Sequence, residues 1–174
     1  MEKSSPSEVL IYTDGASRGN PGPGGYGVIL ISGKHKKELS AGYRFTTNNR
    51  MELMAVIAAL EALKKNNLHV KIYTDSSYVV NTIQKGWLKD WIAKDFKGKK
   101  NKDLWLRLWN LLQQHRVEFH WVKGHAQNPY NNRCDQLATE AADHHALHID
   151  EGYEQSASPK NCFLSHLKKY LFIK

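Results

Sequence analysis

Two stretches of this chain end in the same four residues, Ile11-Tyr12-Thr13-Asp14 and Ile72-Tyr73-Thr74-Asp75. Each is an apolar, strand-like run that closes on an acid. An Asp before Gly15 or Ser76 is also an ordinary turn residue, so neither acid decides anything alone. The shared context matters more, because two such strands would deliver both acids to one edge of a sheet. Glu52 is a third acid, set early in the largely apolar run Met51–Leu63. An isolated buried carboxylate is costly unless it is paired or binds a metal. Asn49-Arg50-Met51-Glu52 also has the spacing of a capping box, and both roles remain open. Asp135 falls in the first turn of a C-terminal helix, where the dipole favours an acid and Asn132 could cap. His125 sits in the polar loop Lys123–Pro129 and by itself reads as a surface loop histidine, one of nine histidines in the chain.

Brought together, these side chains ask for one chemistry. Several carboxylates, no nearby Cys and little His select hard cations such as Mg²⁺ or Mn²⁺ over zinc. Two such ions roughly 3.5–4 Å apart activate a water and stabilise the leaving oxygen of a phosphodiester. A histidine on a neighbouring loop can move a proton near neutral pH.

The elements that must position the acids follow from the pattern. Val9–Thr13, Tyr26–Ile31 and Glu38–Phe45 read as strands with short connections, which predicts an antiparallel meander. Between the first two lies a Gly- and Pro-rich run, residues 14–25, expected to be irregular. A buried helix follows from Asn49 to the Lys64–Asn67 region, then a strand over Val70–Thr74. Strand, helix and strand suggest a right-handed crossover, which sets Asp14 beside Asp75 at the carboxyl ends of parallel neighbours, where open α/β sheets place their sites. A short helix is expected over Ser76–Gln84, another from Asp103 to Gln114, a fifth strand over Val117–Val122 and a last helix over Asn131–His145. Lys85 to Lys102 holds seven lysines against two aspartates, with Trp87, Trp91 and Phe96 among them. Exposed aromatics among lysines suit a nucleic-acid backbone, although a solvated basic excursion would look the same.

A chain of 174 residues with 41% hydrophobic content fits one globular domain plus a tail. The formal charge of +8 favours polyanionic partners. Cys134 and Cys162 lack CxxC spacing, which argues against a disulfide framework or zinc site. The polar start Met1–Pro6 and the lack of a membrane-length apolar run predict a cytoplasmic protein. Residues 1–7 are expected to be a disordered lead and 8–150 the domain. The Gly, Gln, Ser and Pro content of 151–160 suggests a linker, and the apolar, basic end of the 151–174 tail has no assigned role.

Several stretches together resemble bacterial type 1 ribonuclease H (ribonuclease HI). They are Tyr12-Thr13-Asp14-Gly15, Gly19–Gly27, Thr46–Ala55, Thr74-Asp75-Ser76, Trp121–Ala126 and Asn131–Asp135, in family order across residues 8–145. The resemblance implies an α/β fold with a five-stranded mixed sheet, strands one to three an antiparallel meander and four and five parallel, flanked by helices. It also implies hydrolysis of the RNA strand of RNA–DNA hybrids, with 5′-phosphate and 3′-hydroxyl products. Asp14, Glu52, Asp75 and Asp135 then match the family's metal-binding acids, and His125 its loop histidine for proton transfer and product release. Two Mg²⁺ ions are expected, with Mn²⁺ a possible substitute. Asn20, Asn48 and Ser77 match contacts in the hybrid minor groove, where a 2′-OH separates RNA from DNA; the family often has Gln at the Ser77 position. Thr47 matches a pocket for a DNA-strand phosphate. Trp87, Lys97, Lys99 and Lys100 fall in a stretch resembling the family's basic protrusion, with Phe96 where Trp is frequent. A monomer is expected. A binding module without catalysis, or an integrase or junction resolvase on the same fold, are the competing readings.

Overall fold

Val9, Ile11 and Thr13 are buried, whereas Leu10 and Tyr12 between them are only partly covered. That period-2 pattern belongs to a strand with a closely packed helix on one side. In this computed structural model, which describes residues 8–124 and 127–158, the strand is β1, Glu8–Ser17. It pairs antiparallel with β2, Gly22–Ser32, which in turn pairs antiparallel with β3, His35–Thr46. Helix α1, Asn48–Glu61, then crosses to β4, His69–Thr74, which lies parallel to β1 with Thr13 opposite Thr74. Helices α2 (Ser77–Gln84), α3 (Trp87–Ala93) and α4 (Lys102–Leu112) precede β5, Arg116–Trp121, parallel to β4. Helices α5 (Pro129–Ala142) and α6 (Glu151–Ala157) follow. The sheet order is β3-β2-β1-β4-β5, the expected mixed five-stranded sheet.

The main core lies between the sheet and α1 with α4. It contains Ile11, Val28, Leu53, Val56, Ile57, Ile72 and Trp105, all fully buried. On the opposite face α5 packs across β1, β2 and β3, with Cys134 and Leu137 against Ile29. Burial pushes the Cys134 thiol up to about 12, and its S–H donates to the Tyr12 carbonyl at 3.3 Å, so it packs as a small apolar group.

The Gly-rich run at 14–25 is not the irregular loop its composition suggests. β1 extends to Ser17 and β2 begins at Gly22, so only residues 18–21 connect them. Pro23 sits where the β2–β3 register shifts between Gly22 and Gly24, the kind of interruption that tolerates proline in a strand. The glycines serve close packing: a Cβ at Gly25 or Gly27 would overlap the α5 backbone at Ala138 or Cys134.

Helix starts also differ from expectation. Thr47, not Asn49, caps α1, its Oγ1 accepting from the Arg50 N–H at 3.3 Å. Asn128 rather than Asn132 caps α5 and leaves no acid in its first turn. Residues 151–160 are not simply a linker, because Asp150 caps α6 and ties it back. Asp150 holds the buried Arg50 through two bonds of 2.7 and 2.8 Å. It also accepts from Thr46 Oγ1 at 2.6 Å. Arg44 grips Glu154 at 2.9 and 2.7 Å. Composition does not reveal such long-range ion pairs. The lead over 1–7 and the tail beyond 158 lie outside the described residues.

Candidate active site

Asp14 leaves β1 next to its parallel neighbour β4, which Asp75 directly follows. Helix α1 brings the third acid because its backbone touches β1 at Gly15: a Cβ there would overlap the backbone of Met51 and Glu52. With Thr47 as cap, Glu52 lies beyond the first turn of α1 and takes no part in capping. One carboxylate oxygen from each of Asp14, Glu52 and Asp75 lies within 4.8 Å of the others. Gly124 closes the cluster from the β5 side, where a Cβ would come within 2.6 Å of the Asp75 Oδ2.

These three acids line a cleft of about 450 Å³ together with Asn48, Asn49, Ser76, Ser77, Tyr78, Asn131 and Asp135. Asp135 reaches it from α5 but stands outside the tight triad. Burial, then the charges of Asp75 and Asp135, pushes the Asp14 carboxyl up to about 8. Glu52 is only 5% exposed. Burial raises its pKa well above the usual carboxylate range, and Asp14 and Asp75 add to the shift. Its Oε2 has no hydrogen-bond partner. Acids crowded so closely resist joint ionisation unless a positive charge joins them. Hard oxygen donors, their spacing and an orphaned buried carboxylate oxygen fit a divalent cation. Asp14, Glu52 and Asp75 are the residues that would hold it, with Asp135 beside them.

The remaining sequence-derived positions fall around this cleft or along the basic excursion. Asn48 and Ser77 line the cleft, and Asn20 Oδ1 accepts from the Asn48 backbone N–H at 3.2 Å. Thr47 uses its hydroxyl as the α1 cap. His125 lies outside the described residues. Trp87 starts α3, is 41% exposed and carries Lys85 Nζ 5.1 Å from its ring centre. Lys97, Lys99 and Lys100 are exposed. The aromatics of the excursion are not all displayed, as the sequence had suggested. Phe96 is buried, and Trp91 packs edge-on to Trp105 at 5.9 Å. They fasten the excursion to the core and leave Trp87 as its exposed aromatic. Sequence reasoning overlooked Asn131 as a cleft residue, although it lies four positions before Asp135 and so on the same helix face.

The sheet order and the carboxylate cluster define the class: an α/β domain with acids gathered at the carboxyl ends of its strands for a divalent cation. Comparison with known proteins is specific. Residues 6–143 match the family model described as RNase H, and the chain belongs to the RNase H family. It is 56% identical over 148 residues to a Ribonuclease H of Desulforamulus reducens, covering 82% of this chain and 92% of that protein. It is 47% identical over 156 residues to Ribonuclease HI of Synechocystis, covering 86% of this chain and 97% of the relative. Among solved structures it resembles LC11-RNase H1 in complex with RNA/DNA hybrid, with TM-score 0.60 and 28% identity, covering 78% of this chain and 96% of that one.

Proposed function

We propose that this protein is a metal-dependent endonuclease that hydrolyses the RNA strand of RNA–DNA hybrids, leaving 5′-phosphate and 3′-hydroxyl ends. The observation that carries this reading is the Asp14–Glu52–Asp75 cluster, within 4.8 Å at one end of the sheet. Its membership of the RNase H family and its likeness to a hybrid-bound structure support the substrate. When bound, two divalent cations, Mg²⁺ with Mn²⁺ as substitute, supply water activation and stabilisation of the leaving oxygen. Asp14, Glu52, Asp75 and Asp135 hold them, and His125 moves the proton. Asn20, Asn48 and Ser77 contact the minor groove, and Thr47 a DNA-strand phosphate. Trp87, Lys97, Lys99 and Lys100 grip the DNA strand. The catalytic unit spans residues 8–150, acts as a monomer and works in the cytoplasm. No helix among the described residues is long and apolar enough to cross a membrane.

The test is cleavage of end-labelled RNA–DNA hybrid, double-stranded RNA, single-stranded RNA and duplex DNA, with Mg²⁺ and with chelator. Only the RNA of the hybrid should be cut, only with metal, and Asp75→Asn should abolish cutting while hybrid binding persists. Binding without cutting by the parent protein would favour an inactive module. Cutting of duplex DNA would favour another nuclease on this fold.

A further inference from the structure

Among the described residues, three buried side-chain oxygens have no hydrogen-bond partner: Thr13 Oγ1, Glu52 Oε2 and Asn131 Oδ1. Thr13 does not line the cleft, whereas Glu52 and Asn131 do. An unpaired buried acceptor lowers stability, so one that persists calls for an explanation. For Glu52 the cation gives one. Asn131 stands in the first turn of α5 and is 3% exposed. Its backbone N–H is taken by the Asn128 cap at 3.2 Å, and its side chain takes no part in that cap. Asn131 and Asp135 are one helical turn apart and line the same cleft.

No described protein atom donates to the Asn131 Oδ1, which leaves the contents of the cleft to supply the donor. Mg²⁺ sheds its water reluctantly and usually keeps several, each a polarised O–H donor that needs an acceptor. Carboxylates can serve, but each adds to the repulsion already present among Asp14, Glu52 and Asp75. A carboxamide oxygen accepts without adding charge. The geometry points to Asn131 as a further cation-site residue, whose Oδ1 accepts a hydrogen bond from water carried by the divalent ion. This assignment rests on the metal-dependent reading above.

Mg²⁺ alone is the probe, read as the rise in melting temperature with Mg²⁺ concentration and no nucleic acid present. Asn131→Leu keeps the branched heavy-atom skeleton and removes the acceptor, so half-saturation should move up about tenfold, the scale seen when residues supporting a metal ligand are lost. In chelator this variant should melt at or above the parent, because the orphaned acceptor is gone. Asn131→Asp keeps an acceptor and should bind Mg²⁺ at least as tightly as the parent. If Asn131→Leu does not fold, Asn131→Ala takes its place with the same expected loss. Parent-like Mg²⁺ binding by the Leu or Ala variant would overturn the assignment, as would Asn131→Asp losing binding as badly as they do. If Mg²⁺ fails to stabilise the parent protein, the metal-dependent reading itself falls.

Discussion

Replacing Asp14 by Asn should make the protein more stable in chelator while ending its metal-dependent activity. Burial and the neighbouring acids push Asp14 up from 3.8 to about 8. A group with its folded pKa raised in this way binds its proton more tightly in the folded state. Its stabilising contribution is complete below the unfolded value and is lost as pH rises through about 8. At pH 7 a shift of that size amounts to about 4 kcal/mol of lost stability. Asp14, Glu52 and Asp75 share the strain of ionising together, so position 14 alone should account for roughly half, about 2 kcal/mol. For a chain of this length that is about 4–8 °C in melting temperature. The assay is thermal unfolding followed by circular dichroism, in chelator and in excess Mg²⁺, from acid to mildly alkaline pH. In chelator the parent should lose stability as pH rises and Asp14→Asn should lose less. In Mg²⁺ the order should narrow or reverse, because the parent regains its cation and the variant does not. A variant less stable than the parent in chelator at pH 7 would refute the reasoning. So would a parent whose melting temperature is flat between about pH 5 and pH 8.

Two further outcomes concern residues outside the acid cluster. Replacing Lys97, Lys99 and Lys100 by Ala should weaken hybrid binding and reduce its logarithmic salt slope, by up to about 3 if each lysine meets a phosphate. A binding titration at several salt concentrations reads this directly, and an unchanged slope removes the excursion from the interface. Arg50→Ala leaves Asp150 buried without its guanidinium and should cost about 3 kcal/mol in denaturant unfolding. Burial works against ionised Asp103, but the Arg50 hydrogen bonds and charge outweigh it and hold its pKa below the usual carboxylate range. That contribution is present above the unfolded pKa and fades as pH falls through the folded one, so Arg50→Ala should also flatten the acid limb of the stability profile.

Asp14 and Asp75 were legible because each closes an apolar strand, and Glu52 because it stands in a largely apolar helix, whereas Asp135 lies in a polar stretch and stood out through the family resemblance. The sheet that gathers Asp14 and Asp75 follows from strand patterning and the handedness of one crossover. What sequence could not show was how Glu52 is freed for the site. Its spacing from Asn49 fits a capping box, and only the Thr47 hydroxyl, 3.3 Å from the Arg50 N–H, settles the helix start two residues earlier. Propensity cannot choose between Thr47 and Asn49, since both residue types cap well. The docking of Trp91 and Phe96 was hidden for a different reason: Trp91 packs on Trp105 of α4 and Phe96 on Trp91, and nothing local separates a displayed aromatic from a docked one.

The glycines join these two kinds of information. Read locally, residues 14–25 look like a loop, because Gly and Pro usually punctuate structure. In the folded chain they are mostly strand, and they are small because helices on both faces press their backbones onto the sheet. At Gly15 the close approach is functional as well as structural. A side chain there would push the Met51–Glu52 backbone away from β1, and with it the carboxylate that must meet Asp14. The same logic applies at Gly124, where any side chain would be driven into Asp75. The carboxylates can therefore crowd to within 4.8 Å because the positions beside them have no side chains. Burial, reinforced by that crowding, raises the Asp14 and Glu52 pKa values and creates the site's demand for a cation.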